Sequence, residues 1–234
     1  MFNISEMTAR RDLNELDRQG LLRRTHGGAH LNFGRSYEPP LNTRAAKNQA
    51  AKEAIGLQAA EMILDGDSIA LDVGTTTLEI VKGLKGLQNL TIVTASLPIA
   101  NLVVTTLSLE VDVRLILTGG IIRPRELSCS GNFSTRVYEE LHVDKAFIGV
   151  AGISLKDGFT EYNLEDTELK RMLIRTAREK IVVADGTKFG VTTFINIAPL
   201  TAVDRIVTDQ SAPLVIIEQI RQLGVDVTLT KKVY

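Results

Sequence analysis

One cysteine, Cys129, is the only thiol in 234 residues, so the chain can form neither an internal disulfide nor a cysteine metal cluster. The three histidines, His26, His30 and His142, are too scattered for a metal-ligand set. Neither GxGxxG nor GxxxxGK[ST] occurs, which removes the usual nucleotide-phosphate loops. No apolar run approaches the ~20 residues needed to span a bilayer, and residues 1–11 lack the apolar core of a signal peptide. These absences predict a cytoplasmic chain with no membrane partner, no metal and no cofactor.

What is present is a globular composition: 44% hydrophobic and 24% charged residues, with a length that accommodates one domain plus a small appendage. The net charge of −1 conceals an asymmetry. Residues 1–35 carry six basic side chains against four acidic, and the remainder carries 21 against 24. A basic end on a slightly acidic body suits a polyanion.

Ser5 reads as an N-cap for a helix over 6–19, with Leu13 and Leu16 on one side and Gly20 ending it. Residues 21–25 and 29–31, joined through His26-Gly27-Gly28, read as a short hairpin with a basic first strand. A helix exposing Thr8, Arg10 and Arg11 can enter a major groove while Arg23, Arg24 and His26 on the hairpin meet neighbouring backbone. A charged surface helix followed by a turn reads equally well from charge alone. Residues 32–43, with Gly34, Ser36, Pro39 and Pro40, read as a linker, and 44–64 as one helix.

From residue 68 the pattern alternates. Strands are predicted at 68–73, 90–94, 113–118, 146–151, 181–184, 205–208 and 225–229, and helices at 76–83, 98–107, 133–141, 164–179 and 213–223. That alternation implies α/β architecture, a mainly parallel sheet covered on both faces, with ligands bound beyond the carboxyl ends of its strands. Polar clusters stand at those ends. Asp72-Val73-Gly74-Thr75-Thr76-Thr77 delivers a Gly-Thr turn onto a helix N-terminus, whose free N–H groups and dipole suit a phosphate or carboxylate. Thr94-Ala95-Ser96, Gly119-Gly120 with Arg123 and Arg125, 149–154, and Asp185-Gly186-Thr187-Lys188 follow other strands. Together they predict a crevice for a small anion.

The stretch SEMTARRDLNELDRQGLLRRTHGGA, at residues 5–29, resembles the recognition helix and wing of the DeoR family of bacterial transcriptional regulators. LDVGTTT, TGG, DKAFIGVAGIS, EDTELKRMLI and VADGTKFG extend the resemblance to nearly the whole chain. It implies a partial winged helix-turn-helix at 1–31, a linker at 32–43 and a sugar-phosphate-sensing domain at 44–234, similar in fold to ribose-5-phosphate isomerase. Family members carry further helices ahead of the turn, so the chain as it stands is expected to be a shortened gene product or to hold DNA poorly.

The implied activity is a repressor of a sugar or polyol operon, working as a homo-oligomer on operator DNA and released by a phosphorylated sugar or polyol. The resemblance assigns the phosphate to Gly74, Thr75, Thr76 and Thr77, and sugar contacts to Asp72, Ser96, Lys145, Glu168 and Lys188. At the position of Ala95 the family usually has Asn, which implies an altered contact set. The alternative is a sugar-phosphate isomerase, which needs a carboxylate base. Where the isomerase has paired aspartates this chain has Val150, Ala151 and Gly152, none able to carry a proton. Acidic residues opening the 164–179 helix are explained as dipole complements, so binding without catalysis is expected.

Overall fold

The computed structural model describes residues 5–18, 22–25, 28–30, 34–109 and 111–231. Helix α1 (Glu6–Arg18) starts where the Ser5 hydroxyl accepts from the Thr8 amide at 3.1 Å, an N-cap that satisfies one of the helix's unpaired donors. Strands β1 (Arg23–Thr25) and β2 (Gly28–His30) pair antiparallel, with Thr25 opposite Gly28. The two residues between them, including His26, lie outside the described residues.

The segment that follows departs from a plain linker. After a turn closed by the Tyr37 amide on the Gly34 carbonyl at 2.9 Å, Glu38 packs against the body and α2 (Leu41–Ala46) already begins. The single helix expected over 44–64 is split into α2 and α3 (Gln49–Ala60), because Asn48 adopts a left-handed backbone with φ 54°. Lys52 folds back so that its ammonium donates to the Arg44 carbonyl. A cation there satisfies the carbonyl end of α2.

Beyond it run β3 (Ser68–Leu71), α4 (Thr75–Lys82), β4 (Leu90–Thr94), α5 (Leu97–Thr105), β5 (Val113–Leu117), β6 (Ile121–Arg123), β7 (Ser128–Ser130) and α6 (Asn132–Glu140). There follow β8 (Lys145–Gly149), β9 (Gly152–Ser154), β10 (Gly158–Glu161), α7 (Leu164–Thr176), β11 (Glu179–Val183), β12 (Ile195–Ala198), β13 (Arg205–Thr208), α8 (Leu214–Gln222) and β14 (Asp226–Leu229). Seven strands form one parallel sheet in the order β14-β13-β11-β8-β3-β4-β5. They are the seven expected from the apolar runs. A β6–β7 hairpin and a three-stranded antiparallel sheet, β12-β10-β9, are additional.

Successive strand residues feed opposite faces, as the two-residue period requires. Ile69, Leu71 and Phe147 join one core with Ile55 of α3, Ile80 of α4 and Ile99 of α5. Ala70, Ala146 and Ile148 join the other with Leu169, Met172 and Leu173 of α7 and Ile217 of α8. Each of the larger side chains among them contributes about 1.5–3 kcal/mol on burial, against ~1 kcal/mol for a cap, so the doubly covered sheet dominates the fold's stability. On the first face α3 and α4 cross closely: a Cβ on Gly56 would stand 2.5 Å from the Glu79 backbone. Among the described residues no helix is long and apolar enough to cross a membrane.

Candidate functional site

The sheet order reverses direction between β3 and β8. From β3 the chain builds outward through β4 and β5, whereas β8, β11, β13 and β14 extend the other flank. Loops leaving these two neighbours diverge and open a crevice at their carboxyl ends. About 640 Å³ of space, partly open to solvent, lies there. Gly74, Thr75 and Thr76 line it from the end of β3, Gly149, Val150 and Ala151 from β8, and Asp185, Thr187 and Lys188 from β11. Arg44, Lys47 and Lys52 close it from α2 and α3, with Glu161, Tyr162 and Lys170 on a further side.

Gly74 stands at the N-cap of α4 and has no side chain to bond the first turn. Among the described residues the amides of Thr75, Thr76 and Thr77 have no hydrogen-bond acceptor, so the positive helix end is presented to the crevice. Thr77 differs from its expected role as a phosphate contact. Its fully buried hydroxyl donates to the carbonyls of Asp72 at 2.8 Å and Gly74 at 3.1 Å, which holds the loop in shape and leaves no free donor.

Asp72 lies behind the loop rather than in the crevice lining. Its Oδ2 accepts from the Gly149 amide at 3.0 Å and from the Lys170 ammonium, tying β3 to β8 across the split. Glu161 supplies a second carboxylate 3.4 Å from that ammonium. Burial pushes the carboxyls of Asp72 and Glu161 above their ordinary values while Lys170 pulls them down. Burial also works against the Lys170 ammonium, but Asp72, Glu161 and Asp166 outweigh it and keep Lys170 charged.

The other cations are less well neutralised. Lys52 and Lys188 are held below the ordinary lysine value, first by burial, with Asp185 pulling the other way. Neighbouring positive charge adds to the depression: Lys188 and Arg44 act on Lys52, and Arg44 and Lys47 act on Lys188. An anion entering here relieves that repulsion, and the low dielectric of the crevice strengthens the attraction.

The remaining expected sugar contacts stand elsewhere. Lys145 is the first residue of β8, at the opposite end of the sheet, where it pairs with Asp67 at 2.6 Å. Four residue steps along β8 separate it from Gly149 at the crevice edge, about 13 Å. Glu168 is exposed on α7 and pairs with Arg171 at 2.7 Å. Ser96 is buried as the N-cap of α5, accepting from the Ile99 amide at 3.3 Å. Of the expected set, the structure brings Gly74, Thr75, Thr76 and Lys188 together, with Asp72 supporting them from behind.

Arg44, Lys52 and Lys170 are not among the expected contacts. A signal was available for Lys170, since Asp166 and Lys170 repeat at four-residue spacing on the buried side of α7. Among the described residues no group of three or more His, Cys, Asp or Glu side chains is arranged to hold a metal ion.

In the head, the Thr8 hydroxyl bonds the Ser5 hydroxyl at 2.8 Å and so belongs to the cap. Arg10 pairs with Glu6 at 2.7 Å and Arg11 approaches Asp12 at 3.8 Å, all largely exposed. Such surface pairs are worth little and yield readily to a phosphate. Arg23 and Arg24 stand on β1.

Two family descriptions match this architecture: a DeoR C terminal sensor domain over residues 47–210, and a DeoR-like helix-turn-helix domain over residues 1–33. The chain belongs to the DeoR family. The glycerol-3-phosphate regulon repressor of Escherichia coli K12 is 34% identical over 217 residues, 93% of this chain and 84% of that protein. The regulator GolR of Listeria innocua is 29% identical over 231 residues, covering 99% and 89%. Partial structural overlap exists with ribose 5-phosphate isomerase A from Methanocaldococcus jannaschii, at 17% identity and a TM-score of 0.43, covering 61% of this chain and 55% of that one. At that level the overlap carries no conclusion about chemistry. In this DeoR-family chain the crevice falls inside the sensor match, except for Arg44, which belongs to the stretch between the two matched domains.

Proposed function

We propose that this DeoR-family regulator represses an operon for a sugar or polyol from the cytoplasm and is released by a small phosphorylated sugar or polyol bound in the crevice. The observation that carries the reading is the unpaired first turn of α4 sharing one crevice with Lys188, Lys52 and Arg44. In this reading the amides and hydroxyls of Thr75 and Thr76 hold the phosphate against Gly74, and Lys188 supplies counter-charge. Thr77 and Asp72 keep the loop in position. The head reads operator DNA through Arg10, Arg11, Arg23 and Arg24, with Thr8 and His26 alongside, and two copies of the chain bind a two-fold operator.

Binding without turnover is favoured by the groups around the crevice. Val150 and Ala151 at the end of β8 carry no titratable group, and the Glu161 carboxylate is engaged by Lys170. A thermal-shift screen of phosphorylated sugars and polyols tests the function, because a ligand specific to the native state raises its melting temperature. A phosphorylated compound is expected to stabilise the protein while its unphosphorylated counterpart does not, and the paired change Thr75→Glu with Thr76→Glu is expected to abolish the shift. Equal shifts from both compounds would refute the phosphate site, and aldose–ketose conversion in the same mixtures would refute the non-catalytic reading.

A further inference from the structure

Residues 34–48 join the head to the sensor, and they are tied to the body at points that border the crevice. Glu38 is the principal anchor. Its Oε2 accepts from Arg123 at 2.7 Å and from Asn163 at 3.0 Å, and its Oε1 from Arg44 at 3.3 Å. Arg44 also donates through Nε to the Pro39 carbonyl at 2.9 Å and through Nη2 to Glu126. Further along, Asn48 donates to Asp185 at 3.1 Å. Arg44 and Asp185 both line the crevice, and Arg44 also borders a smaller cavity beside it, with Glu38, Glu126 and Asp166.

The charges in this cluster do not balance. Three carboxylates, Glu38, Glu126 and Asp166, share two guanidinium groups, Arg44 and Arg123. Asp166 keeps one carboxylate oxygen, Oδ1, buried with no hydrogen-bond partner among the described residues, a further sign that donors are scarce here. An anion in the crevice adds another negative charge within reach of Arg44. It competes for that guanidinium and repels Glu38 and Glu126 together. With Arg44 drawn away, Glu38 is left to share Arg123 with Asp166 while facing the added negative charge, and Glu38 belongs to the segment carrying the head.

We propose that residues 34–48 form a latch between crevice and head: an anion bound in the crevice draws Arg44 from Glu38 and Glu126, and so unlatches the segment on which the DNA-reading head is carried. This rests on the crevice being the effector site. Coupling is reciprocal, so loosening the latch from its own side strengthens anion binding.

Hydrogen–deuterium exchange of the full chain, with inorganic phosphate as probe, tests it. In the wild-type protein phosphate is expected to slow exchange at 72–77 and to speed it at 34–48 by about tenfold. Glu38→Gln is expected to show the faster exchange at 34–48 without phosphate and to bind phosphate more tightly. Glu126→Gln removes one charge from the same cluster but leaves Glu38 with both Arg44 and Arg123, so it is expected to tighten phosphate binding with exchange at 34–48 near wild type. Protection of 72–77 with unchanged exchange at 34–48 would overturn the latch and leave the effector site standing. Identical exchange in the two variants would reduce the effect to charge alone and overturn it as well. No protection at 72–77 would remove the effector site and the latch with it.

Discussion

Lys170→Met is the substitution whose consequence follows most directly from the geometry. Lys170 is 1% exposed, and its ammonium is shared by the Asp72 and Glu161 carboxylates, both buried. Methionine fills nearly the same stem volume and bends to fit, so the packing loss is small. What remains are two buried carboxylates without their cation, a class of change that costs about 3–5 kcal/mol. For a chain of this length each kcal/mol moves the midpoint by about 2–4 °C, so a fall of roughly 6–20 °C is expected.

The loss has a pH signature. Unpaired buried carboxyls titrate higher in the folded state than in the unfolded state, so their stability deficit is small at low pH and grows as pH rises. Urea unfolding at several values from about pH 5 to pH 8 therefore separates this cause from a packing defect. Adding Asp72→Asn to Lys170→Met removes one stranded charge and is expected to restore part of the stability at high pH. A loss below about 1 kcal/mol, or one independent of pH, would show that the three groups do not act as a charged unit.

Two further expectations concern the loop and the latch. Thr77→Val removes the donor to the Asp72 and Gly74 carbonyls while keeping shape, and is expected to cost about 1–2 kcal/mol and weaken phosphate binding; isothermal titration with unchanged affinity would release Thr77 from any role in holding the cradle. Glu126 is raised to about 7, first by burial, with Arg44 and Arg123 opposing and Glu38 and Asp166 adding to the rise. The folded state thus holds that proton more tightly than the unfolded chain, and its contribution, present below the ordinary value of 4.5, is lost as pH climbs through about 7. For a half-buried group the change is about 1–2 kcal/mol, and it should vanish in Glu126→Gln when stability is followed by urea unfolding across that window.

The strands of the main sheet were legible because the central ones are buried on both faces and all of them read as short apolar runs, whereas the edge strands β5 and β14 are only partly covered. The β6–β7 hairpin and β9 were not, since three residues are too short for a two-residue period to register. The break at Asn48 escaped for another reason. Lys, Gln and Ala on either side all favour helix, and only the tie from Lys52 back to the end of α2 and from Asn48 to Asp185 stabilises the left-handed residue.

The sites divide along the same line. Asp72 to Thr77 could be read as an anion cradle because a strand, a glycine and a helix start are contiguous, and local chemistry determines what their amides can do. The motif around Lys145 carried no such guarantee: it spans a whole strand, so its first and last residues emerge at opposite edges of the sheet. Glu168 and Lys170 are two residues apart on α7 and therefore about 200° apart around it, which puts one in solvent and the other in the core.

By itself, the sequence determined the seven strands of the main sheet and the helices between them, that a glycine followed by three threonines opens α4, and that a basic stretch precedes the sheet, because those properties depend on residues adjacent in the chain. Only the tertiary structure decided that Lys170 supports Asp72, that Lys145 stands away from the crevice, that Arg44 and Lys52 close it, and that Glu38 fastens the connecting segment to Arg123. Those contacts join residues 85 and 98 positions apart, and a charge's partner in a folded chain is set by distance through space, which neither propensity nor periodicity records.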